Sequence, residues 1–233
     1  MSLDPEARIA HVMAPGRAAS ISAELRLYVA IGDSFTAGTG CARGEAWPER
    51  LAAILRRRYR RLSLRNLAEH GATSDAVLEQ LPEALQLEPD LVTVVCGPND
   101  VLRSTRPDPG SYRRRLERIF DRLRGANPDV RIATATAPPR WDFLQLGPRT
   151  RARVERGIDE LNEATRDVAA SRGVACLDVA AHPGLDEAEN FAADGLHPSA
   201  RGHARAAAGF ARLLRHHFAI EIPTRPPEER DER

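Results

Sequence analysis

One feature constrains the fold of this 233-residue chain more than any other: short apolar segments alternate with segments of helical periodicity, five times along the chain. The apolar segments are partly β-branched and bounded by Gly, Pro or Asp, as buried strands are; they cover residues 25–31, 64–68, 91–96, 130–137 and 174–179. Apolar residues recur at helical spacing over residues 47–59, 74–87, 112–123, 151–170 and 200–218. This alternation predicts an α/β fold in which helices cover both faces of a parallel sheet. Five strands suit an open, doubly wound sheet better than an eight-stranded barrel.

The composition excludes several classes of function. All 34 basic residues are arginine, so a mechanism that needs a lysine, such as a Schiff base or a phosphate-binding P-loop, is excluded. The 33 acidic residues nearly balance them, which argues against a nucleic-acid partner, and we interpret the arginine runs as solvated helix faces. Cys41, Cys96 and Cys176 form no Cys-x-x-Cys pair and the histidines show no ligand spacing, so neither a disulfide framework nor a metal site is indicated.

The length favours a single domain with a core of its own, which we place at residues 25–218. Residues 1–24 lack periodicity and are interpreted as a flexible leader, and the charged, proline-containing residues 219–233 as a disordered tail. No apolar run approaches the roughly 18 residues of a membrane span, and the N-terminal residues do not resemble a signal peptide. We therefore expect a soluble protein, most simply a cytoplasmic one, whose oligomeric state stays open.

Chemistry-bearing residues lie at the ends of predicted strands, where a parallel sheet binds its ligands, and before the last predicted helix. In chain order these motifs are Gly32-Asp33-Ser34, Gly71, Gly97-Pro98-Asn99-Asp100 and Asp194-Gly195-Leu196-His197-Pro198. Each motif alone is also typical of a turn or a helix cap. In the last one, a turn can bring the Asp194 carboxylate onto the Nδ1–H of His197 and leave Nε2 as a base.

Together, these motifs resemble the SGNH hydrolase superfamily, also called GDSL lipases and esterases, over residues 25–218. The resemblance implies a three-layer α/β/α, flavodoxin-like sandwich and a serine esterase that works through an acyl-enzyme intermediate. Carried over by position, Ser34 is the nucleophile, His197 the base and Asp194 the residue that orients the base. The backbone N–H groups of Ser34 and Gly71 and the Asn99 amide form the oxyanion hole. The implied partner is a small-molecule acyl ester, and no metal or organic cofactor is implied.

The substrate is less constrained than the reaction. The residues before Gly71, among them His70, stand where the family often has small residues, and this departure bears on the shape of the pocket. The segment after the fourth strand is apolar, and Trp141, Phe143 and Leu144 either line an acyl pocket or cap an edge of the core. Lipids, short-chain acyl esters and acetylated sugars stay open as substrates. The alternative function is a non-catalytic small-molecule-binding module on the same fold.

Overall fold

A sheet of five parallel strands forms the centre of the computed structural model, which describes residues 24–139, 144–182 and 187–222. The strands are β1 (Leu27–Gly32), β2 (Ser63–Asn66), β3 (Leu91–Val95), β4 (Arg131–Ala135) and β5 (Ala175–Leu177). Their order is β2-β1-β3-β4-β5, and every neighbouring pair is parallel. This is the flavodoxin-like order, whose switch point lies between β1 and β3. The predicted doubly wound α/β fold is confirmed.

Helices cover both faces of the sheet. Within the described residues they are α1 (Ser34–Ala37), α2 (Trp47–Arg56), α3 (Ser74–Gln86), α4 (Pro98–Leu102), α5 (Pro109–Ala126), α6 (Pro148–Ser171) and α7 (Ala200–Phe218). On one face α3, α5 and α6 pack against Val29 and Ile31, and on the other α2 and α7 pack against Tyr28 and Ala30. Successive side chains of a strand point to opposite faces, so β1 contributes to both cores of a three-layer sandwich. None of these described helices combines the length and apolar character needed to cross a membrane.

Two short helices occupy positions where the sequence predicts turns. Helix α1 follows β1, and its N-cap is Asp33, whose Oδ1 accepts a hydrogen bond from the Phe35 N–H at 3.0 Å. Helix α4 follows β3 and starts at Pro98, which suits a first helical turn because the N–H that proline lacks has no partner there. The two helices leave the sheet on either side of the switch point, so they deliver Ser34 and Asn99 to the same edge.

The longer helices match the predicted segments to within a few residues. Helices α5 and α6 start earlier than predicted, at Pro109 against 112 and at Pro148 against 151, because each begins with a proline in its first turn. The side chain of Asp108 caps α5 by accepting from the Ser111 N–H at 2.9 Å. The cap and the proline set the start of the helix, whereas the apolar periodicity marks only its buried middle turns.

Two side chains beyond residue 218, the predicted end of the domain, pack in the core. Ile220 and Ile222 are 3% and 8% exposed and pack in the core beside α2 and α7. Burial of the two isoleucine side chains counteracts the loss of conformational freedom of residues 219–222, which the structure describes. The rest of the predicted tail, residues 223–233, and the predicted leader except for Glu24 lie outside the described residues.

Candidate active site

Strand β1 delivers Ser34 to the carboxyl edge of the sheet. The strand ends at Gly32, where a Cβ atom would lie 2.3 Å from the Val95 carbonyl oxygen, so only glycine lets β1 and β3 approach this closely. Gln80 fixes the same position, since its Oε1 accepts from the Gly32 N–H at 2.8 Å and its Nε2 donates to the Gly32 oxygen at 2.9 Å. Ser34 is the first residue of α1 and is 5% exposed, so its hydroxyl lies within a cleft rather than on the open surface.

The imidazole of His197 contacts Ser34 although 163 residues separate them in the chain. Its Nε2 lies 3.0 Å from Ser34 Oγ, and its Nδ1 lies 2.6 Å from Asp194 Oδ2. The other carboxylate oxygen of Asp194 accepts from the backbone N–H groups of Leu196 at 2.9 Å and His197 at 3.0 Å. The Asp194 carboxylate therefore closes the turn between Asp194 and His197 with one oxygen and holds the His197 ring with the other. Hydroxyl, imidazole and carboxylate form one hydrogen-bonded chain.

The charge of Asp194 sets the tautomer of His197. Burial acts to raise the pKa of Asp194, but hydrogen bonds from the His197 ring and from the N–H groups of His197 and Leu196 outweigh it, and the pKa falls to about 2. The carboxylate is therefore ionised at neutral pH and accepts the Nδ1–H of His197. With that proton on Nδ1, Nε2 presents its lone pair to Ser34 Oγ.

Gly71 and Asn99 reach the same edge from the loops after β2 and β3. Gly71 has a φ of +75°, a left-handed conformation that favours glycine, and its carbonyl accepts from Arg103 Nη1 at 2.7 Å. The Nδ2 of Asn99 donates one hydrogen to the Ala72 carbonyl at 3.0 Å, which leaves the second amide hydrogen for another acceptor. Two donors from the region of α4 thus hold the loop that contains Gly71.

These side chains and the Gly71 loop line one cleft of about 60 Å³. Ser34, Gly71, Asn99 and His197 all border it, and Asp194 lies on the far side of the His197 ring. The structure therefore brings together every residue that the sequence assigns to the reaction. The other residues around the cleft are mostly apolar and comprise Asp33, Phe35, His70, Pro98, Leu102 and Leu196.

Of the three residues predicted to form an acyl pocket, the structure describes only Leu144. This side chain is half-buried and packs against the core on the α5–α6 face, and it is not one of the residues that border the cleft. Trp141 and Phe143 lie outside the described residues.

The arrangement in the cleft has the parts that acyl transfer requires. A hydroxyl, a base within hydrogen-bond distance of it and a carboxylate that can orient the base are the groups from which an activated nucleophile is built. The N–H groups of Ser34 and Gly71 and the Asn99 amide are candidates for stabilising an oxyanion. Within the described ranges, no three His, Cys, Asp or Glu side chains converge as they would around a metal ion.

Residues 30–205 match the family model of the GDSL-like lipase/acylhydrolase family. The chain belongs to this GDSL-like family. The matched range holds Ser34, Gly71, Asn99, Asp194 and His197, and family membership makes the protein an ester-bond hydrolase rather than a non-catalytic binding module. No curated protein sequence matches the chain.

Solved structures share the fold of this GDSL-family chain. The lipase/acylhydrolase from Enterococcus faecalis is 23% identical, and the match covers 86% of this chain and 100% of that one with a TM-score of 0.67. The esterase EstA from Pseudoalteromonas sp. is 20% identical over 83% of this chain and 99% of that one, with a TM-score of 0.64. TesA is 22% identical over 82% and 99%, with a TM-score of 0.62. At these identities the likeness concerns the fold.

A buried carboxyl lies beside Ser34 in this GDSL-family site, and the sequence motifs did not reveal its state. Asp33 is 1% exposed; its Oδ1 accepts from the Phe35 N–H, and its Oδ2 has no hydrogen-bond partner among the described residues. Burial raises the pKa of Asp33 to about 7, against the hydrogen bond from Phe35, and the negative charge of Asp100 adds to the rise. The signal in the sequence is that Asp33 follows a wholly apolar strand, which predicts burial. The carboxyl therefore titrates near neutral pH.

Replacement of Asp33 by asparagine is expected to stabilise the protein more at pH 8 than at pH 5. The pKa of Asp33 is about 7 in the folded state and about 3.9 in the unfolded state. The stability that the protonated Asp33 carboxyl contributes to the folded protein is therefore fully present below about pH 4, and it is lost as the pH rises through 7. Asparagine keeps the Oδ1 acceptor but does not titrate. The difference in free energy of unfolding between variant and native protein should therefore grow by about 3 kcal/mol between pH 5 and pH 8.

Urea unfolding of both proteins at several pH values measures this difference. The exposed carboxyl of Asp159 is the matched control, because Asp159→Asn removes the same charge without a buried group. A difference for Asp33→Asn that does not vary with pH would show that Asp33 keeps its charge in the folded protein.

Proposed function

We propose that the protein hydrolyses carboxylic esters through an acyl-enzyme intermediate on Ser34. The observation that carries the proposal is the hydrogen-bonded chain from Ser34 Oγ to His197 Nε2 at 3.0 Å and from His197 Nδ1 to Asp194 Oδ2 at 2.6 Å. A serine hydroxyl is a weak nucleophile at its free pKa and requires an adjacent base. In this proposal His197 is that base and Asp194 orients it.

Acylation begins when Ser34 Oγ attacks the ester carbonyl carbon while its proton passes to His197 Nε2. The carbonyl electron pair moves onto oxygen, and this oxyanion accepts hydrogen bonds from the Asn99 amide and from the N–H groups of Ser34 and Gly71. Ser34 is in the first turn of α1, where a helix supplies no internal partner for the backbone N–H. The tetrahedral intermediate then collapses, the bond to the alcohol oxygen breaks, and His197 returns its proton to that oxygen.

Deacylation repeats these steps with water as the nucleophile. A water molecule gives a proton to His197 Nε2 as it attacks the acyl carbon, and the resulting oxyanion uses the same donors. Collapse breaks the bond to Ser34 Oγ, which takes the proton back from His197, and the carboxylic acid is released. Throughout the cycle the ionised Asp194 stabilises the imidazolium without taking its proton.

The size of the cleft supports a short acyl group. The described residues border a partly open cleft of about 60 Å³, which is small beside the roughly 300–1,000 Å³ of pockets for larger ligands. Phe35, Leu102 and Leu196 supply apolar contacts for such a group. We therefore favour acyl groups of a few carbon atoms over long lipid chains, and rates for a series of esters of increasing acyl length should fall as the chain grows.

A fluorophosphonate tests the proposal directly, because it reacts with an activated serine and leaves a stable adduct. One of the structural relatives, the esterase EstA, is described as inhibited by monoethylphosphonate. Peptide mass spectrometry should place the adduct on Ser34, and labelling should progress in step with loss of ester hydrolysis. An adduct on another serine, or full activity without an adduct, would overturn the assignment.

Asn99→Ala is expected to lower kcat by roughly 10²–10³ with a small change in KM, because the amide donates to an oxygen that is charged only in the transition state. The variant still reacts with a fluorophosphonate, but more slowly, since Ser34 and its base are unchanged. Asn127→Ala is the matched control, because Asn127 also donates its amide to a backbone carbonyl, that of Pro89, but outside the cleft. Thermal unfolding of both variants separates the two roles: a destabilised Asn99→Ala protein with native kcat would remove Asn99 from the oxyanion hole.

A further inference from the structure

Besides the buried Asp33, the described residues around the cleft include one polar side chain, His70, that the proposed reaction does not use. His70 borders the cleft next to Gly71, and its ring centroid lies 5.6 Å from that of His197, with an angle of 31° between the planes. Apart from His70, the residues given a role in the reaction and the buried Asp33, the described side chains around the cleft are apolar, among them Phe35 and Leu102. A second imidazole beside the base is therefore a distinct feature of this site.

Hydrogen bonds hold His70 in place through Thr39. The Thr39 hydroxyl lies 3.1 Å from His70 Nδ1, and the Thr39 N–H donates to the Ser34 carbonyl at 3.0 Å. The buried His203 accepts from the Trp47 N–H through Nδ1 at 3.3 Å, and its Nε2 donates to the Thr39 carbonyl at 3.4 Å. Burial lowers the pKa of His203, which favours the neutral ring that this pair of bonds requires. Thr39 is thus anchored to the turn that bears Ser34, and it fixes one nitrogen of His70.

Thr39 bonds Nδ1 of His70, and no described residue bonds Nε2, so Nε2 is available to a ligand. If the hydroxyl donates to Nδ1, Nε2 carries the hydrogen and is a donor; if the hydroxyl accepts, Nε2 is an acceptor. A hydroxyl group on a ligand satisfies either state, because it both donates and accepts.

The position of His70 relates it to the alcohol part of the ester. In the proposed reaction His197 Nε2 gives its proton to the departing alcohol oxygen, so that oxygen lies beside the His197 ring. Atoms one or two bonds beyond it fall within reach of a ring 5.6 Å away. An unsubstituted acyl chain carries no polar atom beyond the carbonyl, and the apolar residues around the cleft suit such a chain better than His70 does.

We propose that His70 is a specificity-determining residue that hydrogen-bonds a hydroxyl on the carbon next to the ester-bearing carbon, so that monoesters of vicinal diols are preferred substrates. This inference rests on the proposed function of Ser34 and His197. Thr39 is the positioning residue for His70.

Two acetates of nearly equal size test the inference. Ethylene glycol monoacetate carries the hydroxyl, and n-propyl acetate carries a methyl group in its place. For each protein we take the ratio of kcat/KM for the glycol ester to kcat/KM for the propyl ester, which removes effects common to both. His70→Leu should lower this ratio about threefold to tenfold, the range expected for one partly exposed hydrogen bond, and should leave kcat/KM for the propyl ester within about twofold of the native value.

Three further variants complete the design. His70→Gln keeps hydrogen-bonding atoms at the position and should restore part of the ratio. Thr39→Val removes the hydroxyl with little change of shape and should also lower the ratio, since His70 loses its anchor. His216→Leu is the matched control, because His216 is an exposed histidine outside the cleft and should leave the ratio unchanged.

The outcomes separate this inference from the function on which it rests. A ratio that His70→Leu leaves unchanged overturns the inference, and so does an equal loss for both esters, which would make His70 a support for Gly71 instead. Labelling of Ser34 by a fluorophosphonate without hydrolysis of the glycol ester also overturns it. If the native protein neither hydrolyses an ester nor forms the Ser34 adduct, the proposed function itself fails.

Discussion

Ser34→Ala is expected to lower kcat by about 10⁶ and to abolish the fluorophosphonate adduct, because in the proposed mechanism no other group takes the place of the nucleophile. His197→Ala should cost about as much, and the double variant should be no slower than either single variant, since the hydroxyl and the base act as one unit. The residual rate reflects binding and the oxyanion donors alone. Single-turnover and steady-state rates with a short-chain ester measure these losses.

The fold of Ser34→Ala should be intact, which keeps this result interpretable. The cap of α1 comes from Asp33, and the hydrogen bond described for the Ser34 hydroxyl goes to His197 rather than to the backbone. Far-ultraviolet circular dichroism should therefore match the native protein. Ser63→Ala, an exposed serine in β2, is the matched control and should keep native kcat and native labelling. Native-like kcat in Ser34→Ala would place the nucleophile elsewhere.

The sheet and the location of the site follow from the sequence because both depend on local patterns. Buried strands in a parallel sheet are apolar throughout, as Val29 and Ile31 on one face and Tyr28 and Ala30 on the other illustrate. The order of the elements then places all strand ends at one edge, and the neighbouring strands β1 and β3 lead into the short helices with Ser34 and Asn99. The turn between Asp194 and His197 is local as well, since three positions separate the two residues.

The hydrogen bonds and packing contacts that hold the site in place cannot be predicted from the sequence, because they join segments that are far apart in the chain. Gln80 fixes Gly32 from the middle of α3, 48 residues away, and no motif marks this glutamine. The bond between Thr39 and His70 spans 31 residues, so neither residue signals it. The burial of Ile220 depends on where α7 ends relative to the sheet. Each of these contacts is set by packing, which a pattern along the chain does not report.

Asp194→Asn is expected to lower kcat by about 10⁴, the size of the loss when the equivalent aspartate of a Ser–His–Asp triad is replaced by asparagine. An asparagine Oδ1 still accepts from the N–H groups of Leu196 and His197, so the turn keeps its shape. Its Nδ2, however, then faces His197 Nδ1 as a donor. The ring must accept there and carry its proton on Nε2, and that proton blocks the transfer from Ser34 Oγ.

Because the Asp194 side chain is exposed, this prediction separates a role in orienting His197 from a role in forming the turn alone. Its side chain is 48% exposed, so an effect of charge alone is screened by water and should be small. A loss near 10⁴ therefore requires the wrong tautomer, whereas a loss below about tenfold would reduce Asp194 to a turn-forming residue. Measurement of kcat, KM and Tm for Asp194→Asn beside Asp159→Asn, an exposed aspartate on α6, separates the two cases. Because the turn survives, we expect the loss in kcat without a matching loss in Tm.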